Sequence, residues 1–180
     1  MESSLTDTLC VGCGLCCDGS LFADVELAGR AEITRLEVLG LEIEDDGATR
    51  ALLVQPCAAL RERRCSVYPH RPKCCRTFEC RLLQQVRNGA MELGQAKGLV
   101  AVTLKRIERV RELIREVGPR EGNLPLAESC AEALASDTGA SPRAKRKRAE
   151  LAAAMTEVTE RIRATFLGRG VRTVRGERGR

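Results

Sequence analysis

Nine of the ten cysteines in this 180-residue chain lie in its first 80 residues. Cys10, Cys13, Cys16 and Cys17 form the string CVGCGLCC, and Cys57, Cys65, Cys74, Cys75 and Cys80 form a second cluster; Cys130 stands apart. Thiolates are metal ligands, and a CxxC spacing lets two sulfurs converge on one ion from a tight turn. Gly12 and Gly14 supply the backbone freedom such a turn needs. Ordinary packing is a weaker alternative, because the same region lacks large side chains. Aromatic residues make up only 2% of the chain, with no Trp, one Tyr and three Phe. A cysteine-rich region of about 80 residues built on aliphatic side chains is of the size at which a staple or a metal usually supplements the core.

The staple can be disulfide or metal. The opening segment MESSLTDTLC has neither a basic n-region nor an apolar h-region, so it does not read as a secretory signal. No apolar run approaches the ~20 residues of a membrane span, and no membrane association is expected. The expected location is therefore cytoplasmic, a reducing compartment in which CxxC clusters are metal sites rather than disulfides.

Charge is unevenly spread. The net charge is +5 overall, −4 over residues 1–80 and +9 over 81–180, of which +8 falls in 143–180. That basic segment offers a surface for a polyanion or a protein partner. It carries no interleaved aromatics for stacking on bases, so a solvated tail is the simpler reading.

Periodicity predicts an α+β chain, mostly helical, with short strands in a small cysteine-rich N-terminal region and a helical C-terminal half. Residues 24–39 place apolar side chains at Val25, Ala28, Ile33, Leu36 and Leu39, a helix stopped by Gly40. Leu41–Glu44 and Ala51–Val54 read as strands around an acidic turn at 44–47, with Cys65–Tyr68 as a third strand paired with 51–54. Residues 76–117 read as helix, with an apolar stripe from Leu99 to Val117 ended by Gly118-Pro119. Asn123 opens a further helix to about 135, residues 136–142 are a linker, and 143–167 form a last helix. Its opening Lys145-Arg146-Lys147-Arg148 opposes the helix dipole, which predicts fraying or service to a partner. Residues 168–180 have no core-forming pattern and are expected to be a basic disordered tail. The expected organisation is a cysteine cluster domain over 1–118 that includes the packing helix, a helical extension over 119–167, and that tail.

The second cluster reads PCAAL at 56–60, CSVY at 65–68 and RPKCCRTFEC at 71–80. Together with CVGCGLCC this resembles the CxxCxxCC, or YkgJ-type, cysteine cluster family of zinc- or iron-chelating proteins. The resemblance covers residues 10 to about 80, and several separated pieces occur in order. It implies a metal-binding protein with eight cysteine ligands: Cys10, Cys13, Cys16, Cys17, Cys57, Cys65, Cys75 and Cys80. Cys74 departs from the family pattern, and the resemblance does not extend to the C-terminal hundred residues.

Eight thiolates exceed the four that one Zn²⁺ takes, and adjacent residues such as Cys16 and Cys17 direct their side chains apart. Two four-thiolate sites, or a multinuclear cluster, fit the count. Four thiolates suit zinc and iron–sulfur chemistry alike. The run departs from the bacterial ferredoxin pattern, since its fourth cysteine follows at once rather than after three residues and before Pro. The cofactor is thus zinc or iron, with an iron–sulfur cluster among the options.

Other candidates have plainer readings. Cys130 is a small buried hydrophobe in an Ala-rich helix. Cys74 is a spare thiol beside a ligand. His70, the sole histidine, sits between Pro69 and Pro72 in a surface turn. Arg71 and Arg76 either offset thiolate charge or are ordinary surface residues. No HExxH, GxSxG or phosphate loop is present, so no catalytic residue is assigned. Two alternatives to simple chelation stand: an iron–sulfur redox protein or enzyme, and a zinc module that binds nucleic acid through the basic tail.

Overall fold

A computed structural model describes residues 5–45, 50–118, 123–136 and 141–168. The described chain is mostly helical with a few short strands, as expected, and divides between Cys80 and Arg81 into two compact units.

In the first unit, α1 (Leu5–Leu9) leads into the first cysteine loop. Three strands follow: β1 (Asp24–Glu26), β2 (Ile43–Asp45) and β3 (Ala51–Val54), antiparallel in the order β1-β3-β2. In the register, Leu53 lies opposite Val25 on one side and Ile43 on the other. These side chains pack with Leu27, Leu36, Leu41 and Ala59 into a small aliphatic core.

The predicted helix over 24–39 is shorter than its periodicity implied. Residues 24–26 are strand, and α2 begins only at Arg30. Val25 finds Leu53 across the sheet, which suits a β-branched side chain. Gly29 then adopts φ 85, a left-handed conformation that no helix continues through. From Gly29 the helix α2 runs Arg30–Val38. One oxygen of Glu32 accepts the Ala28 N–H (2.9 Å) and the other the Lys73 N–H (2.7 Å), so a single carboxylate caps α2 and also holds the first turn of α3 (Lys73–Thr77). Gly40 (φ 75) ends α2 as expected, with the Leu41 N–H bonded back to the Leu36 carbonyl at 3.0 Å. The acidic turn lies largely outside the described residues.

The third predicted strand also differs. Arg64–Cys65 (β5) pairs with Leu60–Arg61 (β4), not with β3. Glu62 and Arg63 both have positive φ (45 and 67), the two-residue turn whose twist matches a hairpin. Tyr68–His70 is a 3₁₀ turn, where Pro69 cannot donate to a ladder.

The second unit is helical. The helix predicted over 76–117 is three: the end of α3, then α4 (Arg81–Arg87), then α5 (Leu93–Val117). Gly89 at φ 71 closes α4, and Glu92 and Gln95 form a reciprocal capping box that starts α5. Helix α6 (Leu126–Ala135) begins at Pro125, two residues after the predicted Asn123 cap. Helix α7 (Pro142–Ile162) continues into a wider π turn at Arg163–Leu167. The stripe on α5 buries Val100, Ile107, Val110, Leu113 and Val117. Leu151, Val158, Ile162 and Phe166, with Leu126, Cys130 and Ala133 of α6, are also buried.

The basic start of α7 is neither frayed nor wholly available. Ser141 Oγ accepts the Ala144 N–H, and Pro142 occupies the first turn, where its missing N–H costs nothing. Lys147 pairs with Glu116 of α5 at 3.0 Å. Arg148 donates to the Leu134 and Ser136 carbonyls at the end of α6. Two of the four basic residues thus serve the helix packing, and Lys145 and Arg146 remain exposed. The predicted tail, Gly168 aside, lies outside the described residues. Among the described residues no helix is long and apolar enough to cross a membrane.

Candidate metal centre

The first cysteine string is a chain of tight turns. The Cys13 N–H bonds the Cys10 carbonyl (3.0 Å), and the Cys17 and Asp18 N–H groups both reach the Gly14 carbonyl (3.0 Å each). Gly12 and Gly14 sit at φ 99 and 66. Gly14 has a second reason to lack a side chain: a Cβ there would meet the Arg63 backbone at 3.1–3.2 Å. Leu15 and Leu21 are buried, while the cysteines of the loop are half-buried.

Arg63, at the tip of the β4–β5 hairpin, fastens this loop. Its Nε donates to the Cys13 carbonyl (2.7 Å) and its Nη2 to Asp18 Oδ2 (3.0 Å). Asp18 is 5% exposed, and its other oxygen accepts the Ser20 N–H (2.9 Å). Sequence reading missed both residues. An acid directly after the double cysteine was the only available signal, since nothing in the sequence announced which basic residue would face it.

The second cluster reaches the loop from two directions. The Cys57 N–H donates to the Cys17 carbonyl (2.8 Å). The Leu60 N–H returns to the Cys57 carbonyl (2.9 Å), and Leu60 pairs with Cys65 across the hairpin. Cys57, Cys65 and Cys74 all pack against the aliphatic core of the sheet. Phe78, two residues before Cys80, meets Phe22 edge-on, with ring centroids 5.1 Å apart.

The thiols act on one another. Burial first, then neighbouring sulfurs, push Cys10 and Cys17 up to about 12 and Cys13 up to about 11. Cys16 rises for the same reasons, with Cys17 the largest of its charged neighbours. Burial raises Cys57, with Cys65 adding to it. The Cys75 thiol hydrogen-bonds the Cys74 sulfur, which lowers Cys74 and raises Cys75. Two cations oppose this. Arg71 lies 3.6 Å over the Tyr68 ring, with Nε donating to the Tyr68 carbonyl, and lowers Cys10 and Cys17. Arg63 lowers Cys13. Arg76, by contrast, is exposed.

The eight predicted cysteines therefore come from separate stretches of sequence into one half-buried region with mutual electrostatic reach. None of the ten cysteines is joined in a disulfide. Among the described residues, however, no three His, Cys, Asp or Glu side chains stand in an arrangement that would hold a metal ion as it is. The donor set fits zinc or iron by its chemistry, being soft, numerous and bordered by positive charge. A cation would offset the burial, and after it the neighbouring sulfurs, that raise Cys10, Cys13, Cys16 and Cys17. Cys130 is buried in α6, and His70 is exposed in its turn, as the plainer readings of both expected.

Residues 9–95 match the model of the CxxCxxCC family, described as "Putative zinc- or iron-chelating domain". No match was found among curated proteins or among solved structures.

Proposed function

We propose that this CxxCxxCC-family domain chelates zinc or iron through the thiolates of Cys10, Cys13, Cys16, Cys17, Cys57, Cys65, Cys75 and Cys80, with no reaction of its own. The observation that carries the reading is the gathering of thiols from both clusters into one region, where each raises its neighbours' affinity for protons. Such a region is costly unless a cation enters it, because several thiolates cannot share one half-buried site without compensation. Bound metal would supply that charge. The chain's own residues would supply the ligands, and Arg63 and Arg71 would offset the excess negative charge. The working domain is residues 1–118, with 119–167 as a helical extension and 168–180 as a basic tail.

Metal and acid-labile sulfide per chain, measured on anaerobically purified protein, test this. Zinc or iron near two ions per chain, without sulfide, is the expected result, since each ion takes four thiolates. A chain that retains no metal after purification with zinc and iron supplied, and binds none on titration, removes the proposal. Stoichiometric sulfide would move the chain to the iron–sulfur class.

A further inference from the structure

We propose, resting on the chelation reading above, that Arg63 is a positioning residue of the metal centre: it holds the backbone of residues 13–18 in its metal-binding course before an ion arrives. The ion then has side chains to order, but little backbone.

The turn that carries Arg63 is built against local preference. Glu62 and Arg63 are the two residues between β4 and β5, and both have positive φ (45 and 67). Two-residue turns of this twist favour Asn-Gly, because the left-handed region crowds a Cβ against the carbonyl that follows. Glycine at position 63 would suit the backbone better than arginine does. The arginine side chain supplies the reason for its presence. Its Nε donates to the Cys13 carbonyl at 2.7 Å and its Nη2 to Asp18 Oδ2 at 3.0 Å. The neighbouring arginines are placed differently: Arg61 donates to the Ala58 and Leu60 carbonyls, and Arg64 is exposed.

The loop is fitted to the arginine in turn. Asp18 is 5% exposed, and its second oxygen accepts the Ser20 N–H at 2.9 Å. Gly14 lies so close that a Cβ there would meet the Arg63 backbone at 3.1–3.2 Å. Arg63 thus touches the loop at Cys13, Gly14 and Asp18, on either side of Cys16 and Cys17. Among the described residues the sulfurs do not stand in a ligating arrangement. What Arg63 fixes is therefore the backbone, and the side-chain torsions are left to the ion. A chain held in its bound course beforehand gives up less freedom on binding, which raises affinity without any new contact to the ligand.

The test sets metal affinity beside fold stability in the 180-residue chain, reduced and stripped of metal. Affinity for Zn²⁺ and Fe²⁺ is measured by competition with chromogenic chelators, and stability by urea melting without metal. The variants are Arg63→Ala, Arg63→Gly and, as a control for bulk charge, Arg64→Ala. Arg63→Gly relieves the left-handed strain that Arg63→Ala keeps, so it should melt at higher urea than Arg63→Ala. Affinity should not follow stability: both variants should bind metal roughly 10- to 100-fold more weakly, the loss typical when a group that orients ligands is removed. Arg64→Ala should bind as the unmodified chain does. Affinity that recovers with stability in Arg63→Gly, or an equal loss in Arg64→Ala, overturns the positioning role and leaves chelation standing. An unmodified chain that takes up neither ion overturns the chelation reading, and the positioning role falls with it. The Arg63 Nε–H resonance of the unmodified chain gives a readout that needs no variant. It should be protected from exchange without metal and keep its chemical shift on loading. A resonance protected only in the loaded chain would mean that the ion makes the contact, and it overturns the proposal.

Discussion

Asp18 and Arg63 are the pair on which the first cysteine loop is set. A carboxylate buried this deeply is stable only while its charge and lone pairs are matched. Replacing Arg63 by Ala removes its cation and the bond to the Cys13 carbonyl together, so a loss of about 1–3 kcal/mol is expected by urea melting of the metal-free protein. Arg63→Lys should recover part of that loss, since a point charge cannot make both contacts at once. Gly14→Ala should cost a similar amount for a different reason: φ 66 is strained for alanine, and the new methyl would press on the Arg63 backbone. An unchanged melt for both variants would mean that the hairpin does not fasten the loop. The cysteines also make the metal-free fold sensitive to alkali. An unfolded thiol titrates near ~8.5, whereas Cys10 and Cys17 are pushed up to about 12 and Cys13 up to about 11 in the fold. A raised folded value means that the stability these protonated thiols contribute is intact below pH ~8.5 and lost as pH climbs toward the folded values. Melting temperature in chelator and reductant should therefore fall between about pH 9 and 11, and the metal-loaded protein should resist that fall. Equal alkaline sensitivity of the two forms would contradict ligation by these thiols.

At the scale of elements, the helical unit separates contacts that stabilise from contacts that only decorate. Helices α5 and α7 are laced by Arg106–Glu157 and Arg109–Glu150, both well exposed, and by Lys147–Glu116, which is partly exposed. Exposed pairs of this kind are each worth about 0–1 kcal/mol, so Glu157→Ala should move the denaturation midpoint little. Leu151, fully buried between the helices, should cost about 2–5 kcal/mol as Ala. Gly118 belongs with the core despite its place at a helix end. A Cβ there would lie 2.6 Å from the Ala133 Cβ and 2.8 Å from its Cα, so Gly118→Ala forces α5 and α6 apart, and about 1–3 kcal/mol should be lost. The sequence showed Gly118 only as a terminator, because a close approach between helices leaves no mark on either one. The same limit explains the other departures. The apolar spacing of 24–39 fitted a helix, but Val25 had a strand to join that lay some thirty positions later. The run over 76–117 kept its helical character through breaks that Gly89 and the Glu92–Gln95 box impose. By contrast, β3, the end of α2 at Gly40 and the span of α6 were legible, since each is fixed by residues inside it. The candidate ligands were legible for the same reason, while their neighbours Asp18, Arg63 and the stacked Arg71 depended on which distant segments met.

The two units draw their stability from different sources, and metal removal should expose the difference. The first, ending at Cys80, has strands of two to four residues and helices of five to nine. Its buried side chains are almost all Leu and Ala, and helices this short are marginal without tertiary support. Binding energy at a thiolate site is folding energy, so a unit of this kind should lean on its metal. The second unit contains helices of 25 and 21 residues with buried aliphatic faces and a buried Phe166, and it contains none of the candidate ligands. Treating the whole chain with chelator and reductant should therefore raise amide hydrogen exchange across residues 10–80 and leave the buried positions of α5 and α7 protected. Restoring zinc or iron should restore protection in the first region alone. Uniform loss across both units would show that they unfold as one cooperative body. Unchanged exchange in residues 10–80 would show that the aliphatic core around Leu36 and Leu53 suffices without metal. The regional pattern, more than any total change in stability, assigns the role of the cysteines, because only a metal bound by residues of the first unit protects that unit selectively.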